Sequence, residues 1–108
     1  MIDWDHLRSL KEEVGAEDFD EVLALFFEEV EEALTRLPSP ADGTSLAEEL
    51  HFLKGAALNM GFEALSLRCH EAEAHARKGS PGPFDAAEVA SLYRQSRQQF
   101  LADLPSRL

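Results

Sequence analysis

The chain is short of cysteine, of positive charge and of long apolar runs. Its one cysteine, Cys69, excludes an internal disulfide and favours a reducing compartment. Lys and Arg number 10 against 21 Asp and Glu, and the resulting net charge of -11 argues against nucleic acid or an anionic membrane surface as a partner. The longest apolar run, residues 22–27, falls far short of the roughly 20 residues of a membrane-spanning helix.

The first residues, Met1 to Asp5, also lack the basic and then apolar pattern of a secretory signal. Together with the lone cysteine, this predicts a cytoplasmic protein. Apolar residues make up 44% of the chain, which is typical of a folded protein, and 108 residues match the usual size of one domain. We expect a single domain over residues 1–108 and a monomer.

Strand-like alternation is missing as well, and the apolar pattern is helical throughout. A short first helix is predicted over residues 4–14, with Asp3 as its N-cap and Gly15 at its end. A second helix is predicted to begin at Asp18, because Glu21 follows it at the spacing of a capping box.

The rest of the chain predicts three more helices. A loop over residues 38–44 follows the second helix, and Ser45 opens the third with another capping box. The fourth is predicted over residues 62–78 and ends at a Gly- and Pro-rich break over residues 79–83. Asp85 caps the fifth helix.

Apolar residues recur every three or four positions along these helices, so each helix buries one face. The positions expected to be buried are Trp4, Leu7, Leu10, Phe19, Leu23, Phe26, Val30, Ala33, Leu37, Leu46, Leu50, Leu53, Ala57, Met60, Phe62, Leu65, Cys69, Ala72, Ala76, Val89, Leu92, Tyr93, Ser96, Phe100 and Leu104. The pattern predicts an all-α protein, an antiparallel up-down-up-down four-helix bundle over about residues 18–104 with a short additional N-terminal helix.

The outward face of the third helix is unusual. At about 100° per residue, His51 lies roughly 130° from the centre of the apolar stripe, and Lys54, Gly55 and Leu58 fall on the same side. A mid-helix glycine is unfavourable by roughly 1 kcal/mol, so Gly55 is interpreted as clearing space beside His51. The exposed Leu58 indicates a docking surface for a partner protein, and Phe52 either joins this surface or packs beneath the first helix.

An exposed neutral imidazole has a nucleophilic ring nitrogen. His51 can therefore carry a transferred group on a surface that another protein can reach. If that group is phosphoryl, Lys54 can neutralise part of its charge, and Asn59 can orient the ring or cap the end of the helix.

Residues 51–61, which read His-Phe-Leu-Lys-Gly-Ala-Ala-Leu-Asn-Met-Gly, resemble the signature of histidine-containing phosphotransfer (HPt) domains. The similarity continues at Leu65, Cys69 and Glu73 and is clearest over about residues 18–78. The helix plan of the whole chain is also similar to that of the family.

The resemblance implies a role for each residue of the motif. His51 would be the phosphoacceptor, Lys54 would stabilise the phosphoryl charge, and Gly55 would provide steric clearance. Asn59 matches the family's polar residue near the site and would orient the ring.

The chain has no Gly-rich phosphate loop and no lysine in a nucleotide-binding context. We therefore expect a phosphocarrier without kinase activity of its own. The resemblance implies a two-component phosphorelay, in which phosphoryl arrives from a sensor or hybrid histidine kinase or from a receiver aspartate and passes to a response regulator. The receiver domain would dock on Phe52 and Leu58 and supply Mg²⁺, because this chain is expected to bind no cofactor or metal.

A non-catalytic bundle that binds receivers without transferring phosphoryl is the main alternative, although intact His51, Lys54 and Gly55 argue against it. A nucleophilic enzyme using Cys69 is disfavoured, since that thiol lies on a buried stripe.

A metal-carboxylate enzyme is disfavoured by spacing. Di-iron bundles use two Glu-x-x-His pairs, and this chain has one, formed by Glu48 and His51. His70 and His75 are five residues apart, which points their rings about 140° away from each other on a helix.

Overall fold

The computed structural model describes residues 2–37, 43–78 and 85–108 of the chain. Five α-helices account for most of them, and within these ranges the only strand-like contact is an isolated antiparallel bridge between Ile2 and Phe62. In chain order the helices are α1 (Trp4–Val14), α2 (Ala16–Arg36), α3 (Gly43–Asn59), α4 (Glu63–Arg77) and α5 (Ala86–Arg107). The predicted all-α class is confirmed: α2 to α5 form the bundle and α1 is the additional N-terminal helix.

The helix starts were predicted less well than the helices themselves. Asp3 caps α1 as predicted and accepts a hydrogen bond from the backbone of His6. However, α2 begins at Ala16 rather than Asp18, because the positive φ of Gly15 (87°) separates the two helices with a single residue and Gly15 serves as the N-cap itself. No side-chain cap is used there.

The third helix also begins two residues earlier than predicted, at Gly43 rather than at Ser45. A capping pattern marks a favourable start but does not prevent the preceding residues from taking helical dihedrals. Asp85 caps α5 as predicted, through a hydrogen bond from the backbone of Ala87. Most of the predicted 38–44 loop, and the 79–83 break, lie outside the described residues.

The predicted stripes form the core of the bundle. Every predicted position on α3 and α4 is buried, including Cys69. Four predicted positions are only partly buried: Leu10, Phe26, Leu92 and Leu104.

Rings from α1, α2 and α5 meet in the core around Phe62, at the turn between α3 and α4. The Phe62 ring lies 5.8 Å from Phe100 and 6.3 Å from Tyr93, and Phe100 stacks on Trp4 at 5.4 Å. Phe27 also faces this cluster, 6.2 Å from Phe62, although the sequence pattern favoured its neighbour Phe26. Aromatic pairs at such distances add to the hydrophobic stabilisation of the core.

The N-terminal segment is fastened to the end of α3. The backbone N–H of Asp3 donates to the carbonyl of Gly61 at 2.7 Å, and Nε2 of His6 donates to the backbone carbonyl of Asn59 at 3.0 Å. These bonds satisfy carbonyl groups at and beyond the helix end. Together with the Ile2–Phe62 bridge, they hold the C-terminal end of α3 in place.

No helix within the described parts of the chain combines the length and apolar character needed to cross a membrane.

We expect Gly61→Ala to destabilise the protein by about 1–3 kcal/mol. Gly61 has a φ of 74°, and a Cβ there would lie 3.0 Å from the backbone oxygen of Asp3 and 3.3 Å from the side chain of Leu7. Gly55→Ala is the control, because Gly55 lies inside α3 without a positive φ and a Cβ there meets nothing within 4 Å. Urea denaturation should show a loss for Gly61→Ala and no loss for Gly55→Ala; a Gly61→Ala variant as stable as the wild type would contradict the close approach of α1.

Candidate functional site

The packing of α3 determines where His51 points. Its neighbour Leu50 is fully buried on the core stripe, so the next residue faces away from the core. The side chain of His51 is 63% exposed, which confirms the predicted solvent-facing position. The exposed ring is reachable by another protein.

One nitrogen of the His51 ring is nevertheless hydrogen-bonded within the protein. Its Nδ1 lies 3.2 Å from Oε2 of Glu73, a residue of α4 whose side chain is only 7% exposed. The hydrogen bond therefore joins an exposed imidazole on one helix to a buried carboxylate on the next.

Glu73 has two further partners, both cationic. Lys54, one turn after His51 on α3, places Nζ 2.8 Å from Oε1. Arg77, one turn after Glu73 on α4, places Nε 2.9 Å and Nη2 2.7 Å from Oε2. A buried carboxylate needs such partners, since an unpaired charge in a protein interior is strongly destabilising.

The charge state of Glu73 follows from these contacts. Burial alone would raise the pKa of this carboxyl, but hydrogen bonds from Lys54, Arg77 and His51, with the charge of Lys54, outweigh burial and lower the pKa to about 2. At neutral pH Glu73 is therefore ionised and can only accept hydrogen bonds.

An acceptor-only Glu73 determines the tautomer of His51. The contact at Nδ1 requires the ring proton to be on that nitrogen, because the carboxylate has none to donate. In the neutral ring, the lone pair is then on Nε2, on the far side of the ring from Glu73. Nε2 is the nitrogen that this arrangement makes available as a nucleophile.

A shallow depression lies beside the ring, between α2 and α3. It has a volume of about 260 Å³ and is lined by Glu29, His51, Phe52, Gly55, Ala56 and Asn59. A Cβ at Gly55 would meet nothing within 4 Å, so this position is open as the sequence predicted. The role of Gly55 in clearing the approach of a partner stays a prediction.

Two exposed apolar side chains accompany the depression. Phe52 is 44% exposed, and the guanidinium of Arg36 lies 5.8 Å from its ring centre. Phe52 is thus on the outer surface and does not pack beneath α1. Leu58 is 55% exposed, as its place on the helical wheel predicted.

Asn59 and Lys54 differ from their predicted surroundings. The His51 ring is oriented by the hydrogen bond that its Nδ1 donates to Glu73, so an orienting role for Asn59, which lines the depression, stays a prediction. Lys54 was expected on the open outward face, but its side chain is only 20% exposed and is paired with Glu73.

Glu73 and Arg77 contact the site, although the sequence pattern did not predict these contacts. Glu73 was noted only as a position of family resemblance, although it lies four residues after Cys69 on the buried face of α4. A charged residue at a buried helical position is a signal for a polar site. Arg77 follows Glu73 at the spacing of a helical ion pair, which is a weaker signal.

The described residues also bear on the alternative chemistries. Cys69 is fully buried, and burial raises the pKa of its thiol to about 12, which leaves it protonated and unreactive at neutral pH. Within residues 2–37, 43–78 and 85–108, no group of three or more His, Cys, Asp or Glu side chains is placed to hold a metal ion.

With this geometry established, the family can be identified. The family model of the Hpt domain matches residues 21–104, which is more than half of the chain. The chain belongs to the Hpt domain family. The match begins within α2, so α1 lies outside it. No curated protein and no solved structure matches the chain significantly.

Hpt domains are phosphotransfer modules, and membership implies involvement in a two-component phosphorelay. They carry phosphoryl groups rather than acting as autonomous kinases. They work with kinases and receiver domains.

Glu73 should make the stability of this Hpt domain pH-dependent. Its pKa in the folded protein, about 2, is lower than the ordinary value of 4.5 expected in the unfolded chain. The charged carboxylate therefore stabilises the fold above about pH 4.5, and this contribution is lost as the pH falls toward 2. We expect Glu73→Gln to lower the free energy of unfolding by about 1–3 kcal/mol at neutral pH and by clearly less near about pH 3.

Urea denaturation at the two pH values measures this difference. Glu71→Gln, at an exposed position on the same helix, controls for the general effect of removing one negative charge. An equal loss for Glu73→Gln at both pH values would show that the ionised carboxylate is not what stabilises this region.

Proposed function

We propose that this Hpt domain relays phosphoryl groups through Nε2 of His51, between a kinase or receiver aspartate and a response regulator. The observation that carries this proposal is the hydrogen bond from Nδ1 to Glu73 on an otherwise exposed ring. It supplies a defined tautomer, a fixed ring orientation and a free nucleophilic nitrogen. Positioning of this kind is the main contribution a protein makes to phosphoryl transfer.

The transfer step can be written with its charges. The Nε2 lone pair forms a bond to phosphorus, the P–O bond to a partner's aspartate breaks, and the aspartate carboxylate leaves with the electron pair. Because Nδ1 keeps its proton, the phosphorylated ring of His51 is positively charged. Glu73 faces that charge across the hydrogen bond and stabilises it. The reverse step breaks the N–P bond and restores the neutral ring.

Three residues near His51 complete the proposed site. Lys54 supplies positive charge for the phosphoryl group from one helical turn away. Gly55 leaves the surface beside the ring open, and Asn59 contributes a polar side of the depression.

The partner that docks here is proposed to be a receiver domain. Phe52 and Leu58 offer apolar contact area on either side of the open Gly55, as a protein interface requires around a reactive group. The receiver is expected to bring the Mg²⁺ that phosphoryl transfer uses. Glu29 of α2, which lines the depression, adds negative charge to the same face.

His51→Gln is expected to keep the fold, because the side chain is mostly exposed, and to abolish phosphorylation. The label should be acid-labile, and NMR of the phosphorylated protein should place the phosphorus on Nε2. Suitable donors are phosphoramidate and a panel of phosphorylated receiver domains. His70→Gln, which removes an exposed histidine of α4, should label like wild type.

The same panel separates relay from binding alone. A module that only binds receivers would form complexes but acquire no label at His51. Label retained in His51→Gln would assign the phosphoacceptor to another residue.

Leu58→Glu should weaken receiver docking while leaving the chemistry of His51 intact. We expect transfer from a phosphorylated receiver to slow by about tenfold, as for the loss of one central interface contact, with labelling by the small donor phosphoramidate unchanged. Leu67→Glu is the matched control, because Leu67 is similarly exposed (61%) but lies on α4. Equal slowing in both variants would place the docking face elsewhere.

A further inference from the structure

The two cations that pair with Glu73 differ in the oxygen that they contact and in their exposure to solvent. Lys54 contacts Oε1 and is mostly covered, at 20% exposure. Arg77 contacts Oε2 through two nitrogens, and its side chain is 55% exposed. The proposed transfer uses the charge of Lys54 and leaves Arg77 without a role.

Phosphorylation of His51 creates a competition for Lys54. A phosphoryl group carries up to about two negative charges at neutral pH, and Lys54 is one helical turn from the ring. In the resting protein, however, the ammonium of Lys54 is already paired with Glu73 at 2.8 Å. If Lys54 were the only cation on this buried carboxylate, turning toward the phosphoryl group would leave Glu73 uncompensated, which is strongly unfavourable.

We propose that Arg77 is a positioning residue, which keeps Glu73 paired while Lys54 turns from Glu73 to the phosphoryl group on His51. This role rests on the proposed function of His51. Arg77 and Glu73 are one turn apart on the same helix, so their two contacts do not depend on α3. Arg77 can therefore stay on Glu73 when Lys54 leaves it.

Phosphoramidate tests this role in the isolated chain, without a partner. The Nε2 lone pair bonds to phosphorus, the P–N bond of phosphoramidate breaks, and its already protonated nitrogen leaves as ammonia. Nδ1 retains its proton beside Glu73. The rate of label appearing at His51 is followed by intact mass and phosphorus NMR.

A double-mutant cycle between Lys54 and Arg77 is the decisive measurement. Lys54→Gln should slow labelling by about tenfold, and Arg77→Gln should slow it by several-fold to about tenfold. Because Arg77 acts through Lys54, the double variant should be no slower than Lys54→Gln alone. A merely structural or independent effect of Arg77 would instead multiply the two losses.

Two further variants make the result specific. Arg77→Lys keeps a positive charge on Glu73 and should recover most of the wild-type rate. Arg68→Gln removes another arginine of α4, one that pairs with Glu88 at 2.6 Å, and should label normally. Urea denaturation confirms that each variant is folded under the labelling conditions.

The outcomes separate this role of Arg77 from the function of His51. Suppose that the wild type is labelled at His51. A normal labelling rate in Arg77→Gln, or a double variant in which the two losses multiply, then overturns the role of Arg77 alone. Absence of wild-type label at His51 from both phosphoramidate and receivers overturns the relay function and this role together.

Discussion

The carboxylate of Glu73 is the only charged side chain among the buried residues that the structure describes, and the site depends on it. It is stable there because Lys54 and Arg77 contact it from two helices, while Nδ1 of His51 donates a third interaction. Several partners hold a buried charge in place more firmly than one partner would. The exposed imidazole gains a fixed tautomer from a group that solvent hardly reaches.

The same contacts link packing to chemistry. The apolar stripes of α3 and α4 bring the two helices together through residues such as Leu53 and Cys69, and this packing places Glu73 beside the outward edge of α3. The core therefore does more than stabilise the fold. It sets the distance between a buried acceptor and an exposed donor, which in turn determines which ring nitrogen carries the proton.

The sequence was a good guide to periodic features and a poorer one to contacts between helices. The spacing of apolar residues predicted five helices, the buried face of α3 and the exposure of His51, since all three depend on the helical repeat alone. The starts of α2 and α3 were each misplaced by two residues, because Gly15 ends α1 and starts α2 without a side-chain cap and Ser45 is not the first helical residue. The pairing of Lys54 with Glu73 could not be predicted, since it depends on the register of α3 against α4, which no local pattern encodes.

The attachment of α1 to the end of α3 has a practical consequence for handling the protein. Ile2 pairs with Phe62, and Asp3 and His6 bond to the backbone of Gly61 and Asn59, so the first residues run close to the rim of the depression beside His51. A purification tag or fused reporter joined ahead of Ile2 would begin near the surface on which a receiver is proposed to dock. Such an appendage would crowd an incoming protein but not a small phosphodonor, and the choice of tag position therefore affects the two kinds of assay unequally.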